Sequence, residues 1–495
     1  MSLSEQTPAD GAEGNSPPLQ IGSGLKIGIT SFGSWMLGVG TIIGSMAWLM
    51  HGPMLARAGT AACLFAWLLA GLLSLPLTLI LMELSSMFPT AGGPYVFKYY
   101  ALKRIFPGHS YAELLGFLTG WLFWSSLIVG LACMANGLTN LLVSSIWGEG
   151  TAPLWFGPVI IFALFGSTTF LNFLPVGKAS RASILFTIMK LVMALFFAVL
   201  AFGSPHWKID YALNFTNPSG GTNFLANVSS VLMLAMAGFS FLELSCCVSS
   251  ETVNAKSSVP RGLILTLLSI TAIYLIMCLS ISVCSPYVLS ADQSTLLISG
   301  TAVQATCPAL AGWLGGPLCG QLFSACVVAS IVGCSFTALL GAARVSYSMA
   351  ETKLFPAQFA QLDPVTKVPK YSLLFQFWFI SLVAVGANLV ARTKLFPDAY
   401  AFLGDTFGFM YAFVAILYGF CLLSLRYTDP DLARPFRIGK TGNFLAWIMA
   451  LIAMSIWGYA AFICVHWLEQ LTGIIILLAG IPVFWYCKKA VRVEH

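Results

Sequence analysis

Four ionisable side chains interrupt long apolar stretches of this chain, and their types define the chemistry that is open to it. Glu83, Glu243 and Asp405 are carboxylates, which bind protons or amines, and Lys190 lies near the middle of its stretch. An ionisable group in apolar surroundings is costly and needs a partner or a function. Lys190 is either a fixed charge in the place of a coupling cation, or a group that gains and loses a proton, or a lysine that extends its amine along a helix toward a membrane surface. Glu83 and Asp405 lie near the ends of their stretches, and we interpret both as structural.

Glu243 follows an irregular sequence in which Gly238 and Ser240 precede the carboxylate. Such a carboxylate either binds backbone amides that an interrupted helix has freed, or serves as a proton site or a partner for a substrate amine. The two roles are compatible, so both remain open for Glu243.

The apolar stretch 29–55 is irregular at its own middle, where Gly38, Gly40, Gly44 and Ser45 lie close together. Gly40 and Gly44 form a small-xxx-small pair, which is typical of two packed membrane helices. The same residues also favour an interrupted helix, which is tolerated in a membrane only where the freed backbone faces protein, water or a solute.

The elements that must position these residues are transmembrane helices. The chain has 495 residues, of which 58% are hydrophobic and only 8% are charged, whereas soluble domains carry roughly 25% charged residues. Residues 1–25 are polar and predict a disordered tail. Apolar runs predict an all-α membrane protein of about twelve helices, with spans 29–55, 60–88, 112–140, 154–171, 180–203, 222–248, 261–286, 316–346, 371–391, 399–425, 443–465 and 468–487.

The basic residues are distributed unequally between the connections of these helices. If the N-terminus is cytoplasmic, nineteen of the 24 Lys and Arg residues lie inside, four lie outside, and Lys190 is within a span. This bias predicts a multi-pass protein of the cell membrane with both termini in the cytoplasm. No cleavable signal peptide is evident.

The two irregular spans, the first and the sixth, are five spans apart and therefore cross the membrane in opposite directions. That arrangement is typical of two inverted five-helix repeats with a site between them. We expect a first repeat over 26–203, a second over 204–425, and two further helices with a short cytoplasmic C-terminus over 426–495.

Other function classes lack their sequence signals. No phosphate-binding Gly-rich loop, catalytic Ser motif or metal-ligand spacing of His and Cys is present, so we expect no enzyme, no metal, no cofactor and no nucleic-acid partner. Most of the 13 cysteines fall in helices, where they act as small apolar residues. Cys284 and Cys307 flank one outer loop, and whether they form a disulfide stays open.

Several motifs, taken in order, resemble the amino acid–polyamine–organocation (APC) family of secondary transporters, from about Gly28 to Lys489. The resemblance is carried by Val39-Gly-Thr-Ile-Ile-Gly-Ser45, Glu83-Leu-Ser-Ser-Met-Phe-Pro-Thr-Ala-Gly-Gly-Pro-Tyr95, Gly116-Phe-Leu-Thr-Gly-Trp121, Asn172 and Gly177 with Lys190-Leu191, Glu243 to Glu251 with Val259-Pro-Arg261, Arg344-Val-Ser-Tyr-Ser-Met-Ala350 with Leu354-Phe-Pro356, and Arg426 with Pro430-Asp-Leu-Ala-Arg-Pro-Phe436.

The resemblance implies a 5+5 inverted-repeat fold, with helices 1 and 6 unwound, that moves amino acids or related amines by alternating access. It implies that the backbone of helix 1 binds the substrate carboxylate and that of helix 6 the amino group. By match, the substrate-binding residues are Ile43, Gly44, Ser45, Met46, Ala237, Phe239, Ser240 and Phe241. Lys190 resembles the lysine that takes the place of a sodium ion and links helices 1 and 8, which implies sodium-independent exchange or proton coupling.

The chain departs from the family pattern at three positions. Met46 and Phe241 each stand where the family usually has glycine, and Ala237 stands where it has an aromatic gate. We therefore expect a compact site, with either Phe239 or Phe241 acting as the gate.

Two alternatives to amino acid transport remain at this point. The first keeps the fold but moves an amine or polyamine without a carboxylate, with Glu243 pairing to the substrate ammonium. The second is a transporter-like sensor that binds solute without moving it. The sequence leaves open the substrate, the choice between exchange and proton symport, the oligomeric state and any accessory subunit.

Overall fold

Helices make up most of the described residues in the computed structural model of this chain. The structure describes residues 21–22, 24–147, 152–217, 220–284, 287–289, 295–298, 301–304, 307–393, 399–439 and 442–493. Most of the predicted tail, residues 1–20 and 23, lies outside these ranges. The last residues of that tail are ordered, because Ile21 and Leu25 are buried and the Gly22 amide donates to Glu351 at 2.7 Å.

The first half of the chain forms nine helices within the described ranges. In chain order they are α1 (Ser31–Ile42), α2 (Ser45–Leu49), α3 (His51–Ala58), α4 (Thr60–Met87), α5 (Gly93–Ile105), α6 (Ser110–Trp147), α7 (Phe156–Asn172), α8 (Val176–Gly203) and α9 (Ile209–Ala212).

The second half contributes nine more α-helices and a small sheet. They are α10 (Phe224–Ala237), α11 (Leu244–Cys247), α12 (Ala255–Ser282), β1 (Tyr287–Leu289), β2 (Thr295–Ile298), β3 (Thr301–Gln304), α13 (Cys307–Gly315), α14 (Pro317–Glu351), α15 (Lys370–Ala391), α16 (Ala399–Thr428), α17 (Phe444–Tyr459) and α18 (Trp467–Val493). Two 3₁₀ turns (Ser249–Glu251 and Ala357–Ala360) and a π turn (Ala460–Cys464) complete the described regular structure.

The predicted all-α membrane architecture is confirmed. In the described part of the chain, nine helices are long and apolar enough to cross a membrane, namely α4, α6, α8, α12, α14, α15, α16, α17 with its π turn, and α18. The shorter apolar helices α7 and α10 and the interrupted first segment, α1 to α3, occupy the other three predicted spans. The antiparallel sheet, in the order β1-β2-β3, belongs to the connection between α12 and α13. Cys284 and Cys307, at the two ends of this connection, are both free and buried.

One end of the bundle is closed by buried ion pairs. We name it the α5 end, because α5 connects α4 to α6 there. Arg344 donates two hydrogen bonds to the Glu251 carboxylate, at 2.8 and 2.9 Å, and Glu251 in turn accepts the Gly28 amide through its main-chain oxygen. Glu83 accepts from Arg426 at 2.5 and 3.0 Å. These bonds tie the start of the chain and α4 to the second half of the bundle.

Candidate functional site

The first predicted interruption is present, and it lies between α1 and α2. Helix α1 ends at Ile42 and α2 begins at Ser45, with Gly44 in an extended conformation at φ −111° and ψ −147°. A Cβ atom on Gly44 would lie 3.0 Å from the Cys334 sulfur. Any larger residue would have to displace the Cys334 side chain, so close packing on α14 favours glycine here.

The carbonyl groups at the end of α1 are satisfied by side chains of other helices. Lys190 Nζ donates to the Gly40 oxygen at 2.6 Å, and the Cys334 thiol donates to the Thr41 oxygen at 2.7 Å. In the described structure no side chain caps the start of α2. At this interruption the carbonyl acceptors are therefore hydrogen-bonded, whereas the main-chain amides at the start of α2 remain free to donate. Free amides of this kind can bind an anionic group.

The second predicted interruption separates α10 from α11. Residues 238–243 form irregular turns, and within them Phe241 has φ +71°. Left-handed backbone costs a residue with a Cβ roughly 1–2 kcal/mol. The Tyr274 hydroxyl donates to the Gly238 oxygen at 2.8 Å. The Phe239 and Ser240 oxygens receive no hydrogen bond from the described residues, so they are free to accept from a cation or an amine.

Both interruptions face one cavity of about 180 Å³ at the centre of the bundle. Its wall comes from α2, α6, the α10–α11 interruption and α16. The lining residues are Ile42, Gly44, Ser45, Met46, Met50, Gly130, Cys133, Met134, Leu234, Ala237, Gly238, Ser240, Phe241, Tyr400, Ala401, Gly404, Asp405 and Phe407.

Six of the eight predicted binding residues line this cavity: Gly44, Ser45, Met46, Ala237, Ser240 and Phe241. The side chains of the other two, Ile43 and Phe239, lie elsewhere. Ile43 is buried, and its oxygen accepts from Ser330 at 3.2 Å. The Phe239 ring packs against Trp67 and Tyr274, with ring centroids 6.4 and 5.5 Å apart. For Ile43 and Phe239 the prediction concerns main-chain atoms, and it stays a prediction.

Phe241 is the aromatic residue of the pair that reaches the cavity. Its ring stacks on Phe407 of α16, with centroids 4.9 Å apart. The approach is possible because Gly130 of α6 has no side chain, and a Cβ there would lie 2.7 Å from the Phe241 ring. Of the two gate candidates, the geometry favours Phe241.

A second cavity, of about 420 Å³, lies next to the central one on the side away from the α5 end. The two cavities share five lining residues, Leu234, Ala237, Ser240, Gly404 and Asp405. Arg57 of α3 and Trp457 of α17 also line the second cavity. We name this space the vestibule, because it leads from the Arg57 end of the bundle to the central cavity.

Sequence reasoning missed Asp405 as a site residue, since it assigned this carboxylate a structural role. In the structure Asp405 lines both the central cavity and the vestibule. Gly404 and Gly408, four residues apart and on either side of it, line the vestibule as well. A Cβ on Gly408 would meet no atom within 4 Å, so these glycines leave open space beside α16, and their spacing around Asp405 was the available signal.

Lys190 and Glu243 are both fully buried, and neither lines the cavity. Lys190 points into the bundle toward α1, so its side chain does not extend to the membrane surface. Glu243 accepts a hydrogen bond from the Tyr411 hydroxyl at 2.7 Å through one carboxylate oxygen. Lys190 thus contacts the end of α1 just before the first interruption, and Glu243 is the last residue of the second.

Comparison with known proteins identifies relatives along almost the whole chain. A family model described as "Amino acid permease" matches residues 29–479. The chain is 27% identical to the serine/threonine exchanger SteT of Bacillus subtilis, over 94% of this chain and 98% of that protein. It is 25% identical to the glutamate/serine transporter AimA of the same organism, over 93% and 82% respectively. It is also 25% identical to the lysine-specific permease LysP of Escherichia coli, over 93% and 92%.

Proposed function

The chain belongs to the amino acid permease family of the APC superfamily, and on that premise we propose that it is a sodium-independent secondary transporter of small amino acids. It would work by alternating access, as an exchanger or a proton-coupled symporter. One observation carries the proposal: two interrupted helices present unpaired backbone groups to one central cavity. As members of this family are permeases, the chain is a transporter and not an enzyme.

The backbone groups at the two interruptions are complementary to the two ends of an amino acid. The free amides at the start of α2, around Ser45, would bind the carboxylate. The free oxygens of Phe239 and Ser240 would accept from the ammonium. Ile43, Gly44, Met46 and the Ala237 and Phe241 backbones complete the proposed site.

The size of the cavity supports a small substrate. Its volume of about 180 Å³ is below the roughly 300–1,000 Å³ that is typical of pockets for drug-sized ligands. Met46 and Phe241 both reach into it, where the family usually has glycine. The names of two relatives include serine, which agrees with a substrate of this size.

The contact of Lys190 with Gly40 supports sodium independence. A fixed ammonium 2.6 Å from a carbonyl at the end of α1 supplies the positive charge that a coupling cation would otherwise bring. The role of Glu243 would be to hold a charge or a proton behind the second interruption.

The distribution of basic residues supports an orientation with both termini in the cytoplasm of a cell-membrane protein. With this orientation the α5 end is cytoplasmic and the vestibule opens outward, so the structure corresponds to an outward-facing state. The proposed repeats, 26–203 and 204–425, would place α1 and the α10–α11 segment at equivalent positions, with 426–495 outside the repeats.

One observation favours an amine or polyamine as a second candidate substrate. Asp405 places a carboxylate in both cavities, where it is suited to attract a cation. Such a substrate would need no carboxylate site at α2.

Uptake by purified protein in liposomes tests the proposal. Labelled serine should accumulate at the same rate when sodium is replaced by choline, and an excess of small amino acids should compete. The Ser45→Pro variant removes a main-chain amide at the first position of α2, where proline is tolerated, and should lose affinity, whereas Ser45→Ala keeps this amide and should retain most of it. Competition by decarboxylated amines alone would support the second candidate, and binding without uptake would indicate a sensor.

A further inference from the structure

Lys98 of α5 is a buried ammonium without a hydrogen-bond acceptor among the described residues. Its side chain is 0% exposed, and its Nζ lies over the rings of Phe123 and Tyr418, 4.9 and 4.5 Å from their centroids. Two other basic residues on the same helix are not left buried and without an acceptor. Lys103 is exposed, and Arg104 bonds to the Tyr100 hydroxyl. Aromatic faces attract a cation but replace only part of its hydration, so Lys98 needs an opposite charge.

The nearby buried carboxylates leave one candidate for that charge. Glu83 is bound by Arg426, and Glu251 is bound by Arg344. Glu243 forms no ion pair within 4 Å in the described structure, and its Oε1 atom receives no hydrogen bond there.

Lys98 and Glu243 both contact α16, Lys98 through the Tyr418 ring and Glu243 through the Tyr411 hydroxyl, and these tyrosines are seven residues apart on the same face of that helix. Burial lowers the pKa of Lys98 to about 8, and Cys421, the Glu243 carboxylate and Cys247 act to raise it. Those three groups and the Tyr418 hydroxyl, which is itself without a partner in the described structure, are the titratable groups around the ammonium. None of the other three is charged at neutral pH in its usual form, so Glu243 is the counter-charge available.

The position of this pair connects the wall of the central cavity with the closed end of the bundle. Glu243 is two residues after Phe241, which lines the central cavity. Lys98 lies on α5, which packs on α6, α11 and α16 at the closed end of the bundle. Loss of the charge on either residue would therefore affect both the backbone of the cavity wall and the packing at the closed end.

We propose that Lys98 is the counter-charge of Glu243, a positioning residue that holds the Glu243 carboxylate ionised while the α5 end is closed. The inference rests on the proposed transport function. Removal of either partner leaves one unmatched charge in the bundle, whereas removal of both leaves none. Without Lys98, the buried carboxylate is most stable with a proton bound, and transport then depends on pH.

A double-mutant cycle of Lys98→Met, Glu243→Gln and the double variant tests this pairing. Each single substitution should lower the uptake rate by about tenfold or more. The double variant should lose no more than the weaker single variant. The Lys103→Met variant, which removes an exposed lysine from the same helix, should transport at the wild-type rate. A double variant whose loss equals the product of the two single losses would overturn the pairing, as would wild-type uptake by Lys98→Met.

Two further readouts separate this role from simple packing. As the pH is lowered, the uptake rate should fall when Glu243 binds a proton. This fall should occur at a higher pH in Lys98→Met than in the wild type, and it should be absent from both variants that carry Glu243→Gln. Thermal unfolding of the four proteins without substrate should show the same non-additivity: the double variant should lose less stability than the sum of the two single losses. The unfolding measurement stands even if the protein transports no amino acid, so failure of the proposed function and failure of the pairing are distinguishable. If Lys98→Met does not fold, recovery of folded protein in the double variant supports the pairing and its absence refutes it.

Discussion

The ring of Phe241 stacks on the ring of Phe407, with planes 19° from parallel, although Phe241 has a left-handed backbone. This conformation turns the side chain from the α10–α11 interruption toward α16 and makes it part of the cavity wall. The stacking and burial of the ring offset the backbone strain. Phe241 thus narrows the cavity at a position where a glycine would be unstrained.

The strain at Phe241 predicts an unusual order of stability among its variants. Phe241→Ala and Phe241→Gly both lose the ring, at a cost of about 3–5 kcal/mol. Glycine adopts φ +71° without penalty, whereas alanine does not. We therefore expect the glycine variant to be more stable by about 1 kcal/mol in denaturant unfolding in detergent. An alanine variant that is the more stable of the two would show that the left-handed conformation is not maintained.

Met46 is predicted to limit the size of the substrate. It lines the cavity at the start of α2, so Met46→Gly should admit larger amino acids and leave serine uptake within about threefold of wild type. Competition by a series of amino acids of increasing size measures this change. Met36→Ala removes a buried methionine of α1 that lies outside the cavity and should keep the wild-type profile. An identical profile for Met46→Gly would refute the role.

The two interruptions could be predicted from sequence because glycine and serine coincide at each of them, and at the second an intramembrane carboxylate follows. The choice between Phe239 and Phe241 could not be made, since it depends on the backbone rotation at Phe241. Asp405 was assigned a structural role for a similar reason. Its position near a helix end is visible in the sequence, but the face of α16 that meets the cavity is set by packing.

Lys98 was missed because it lies among other basic residues in a connection between two spans, where lysines usually face water. Its burial arises only when α5 folds under the bundle against α6 and α16. Lys190 could be singled out because its surroundings in sequence are wholly apolar.

The bond between Lys190 and Gly40 predicts a loss of transport on substitution. A hydrogen bond to a charged group contributes about 1.5–3 kcal/mol, so Lys190→Ala should slow uptake by roughly 10- to 100-fold. Lys178→Ala removes an exposed lysine from the start of the same helix and should have little effect. Initial rates of uptake in liposomes compare the two. A wild-type rate for Lys190→Ala would show that the ammonium has no part in the cycle.

We predict that the ion pair of Arg344 and Glu251 keeps the α5 end closed to water. Arg344→Met leaves Glu251 buried and uncompensated, at a cost of about 3–5 kcal/mol, which opening to water relieves. Cys246 and Cys247 lie nearby and are 0% exposed. We expect N-ethylmaleimide to modify them faster in the variant than in the wild type, as followed by mass spectrometry. Arg392→Met, at the other end of the bundle, is the control, and equal rates in all three proteins would contradict the closure.

The burial of Lys98 predicts a specific dependence of stability on pH. Its pKa is about 8 in the folded protein and 10.5 in its ordinary state. Below pH 8 the ammonium is charged in both states, and its burial cost is fully present. As the pH rises from about 8 toward 10.5, the folded state loses the proton first, so the unfolded state binds more protons and stability increases. The melting temperature of the wild type should therefore rise relative to that of Lys98→Met across this window, whereas Lys103→Met should follow the wild type. A constant difference between wild type and Lys98→Met would mean that Lys98 reaches water in the folded protein.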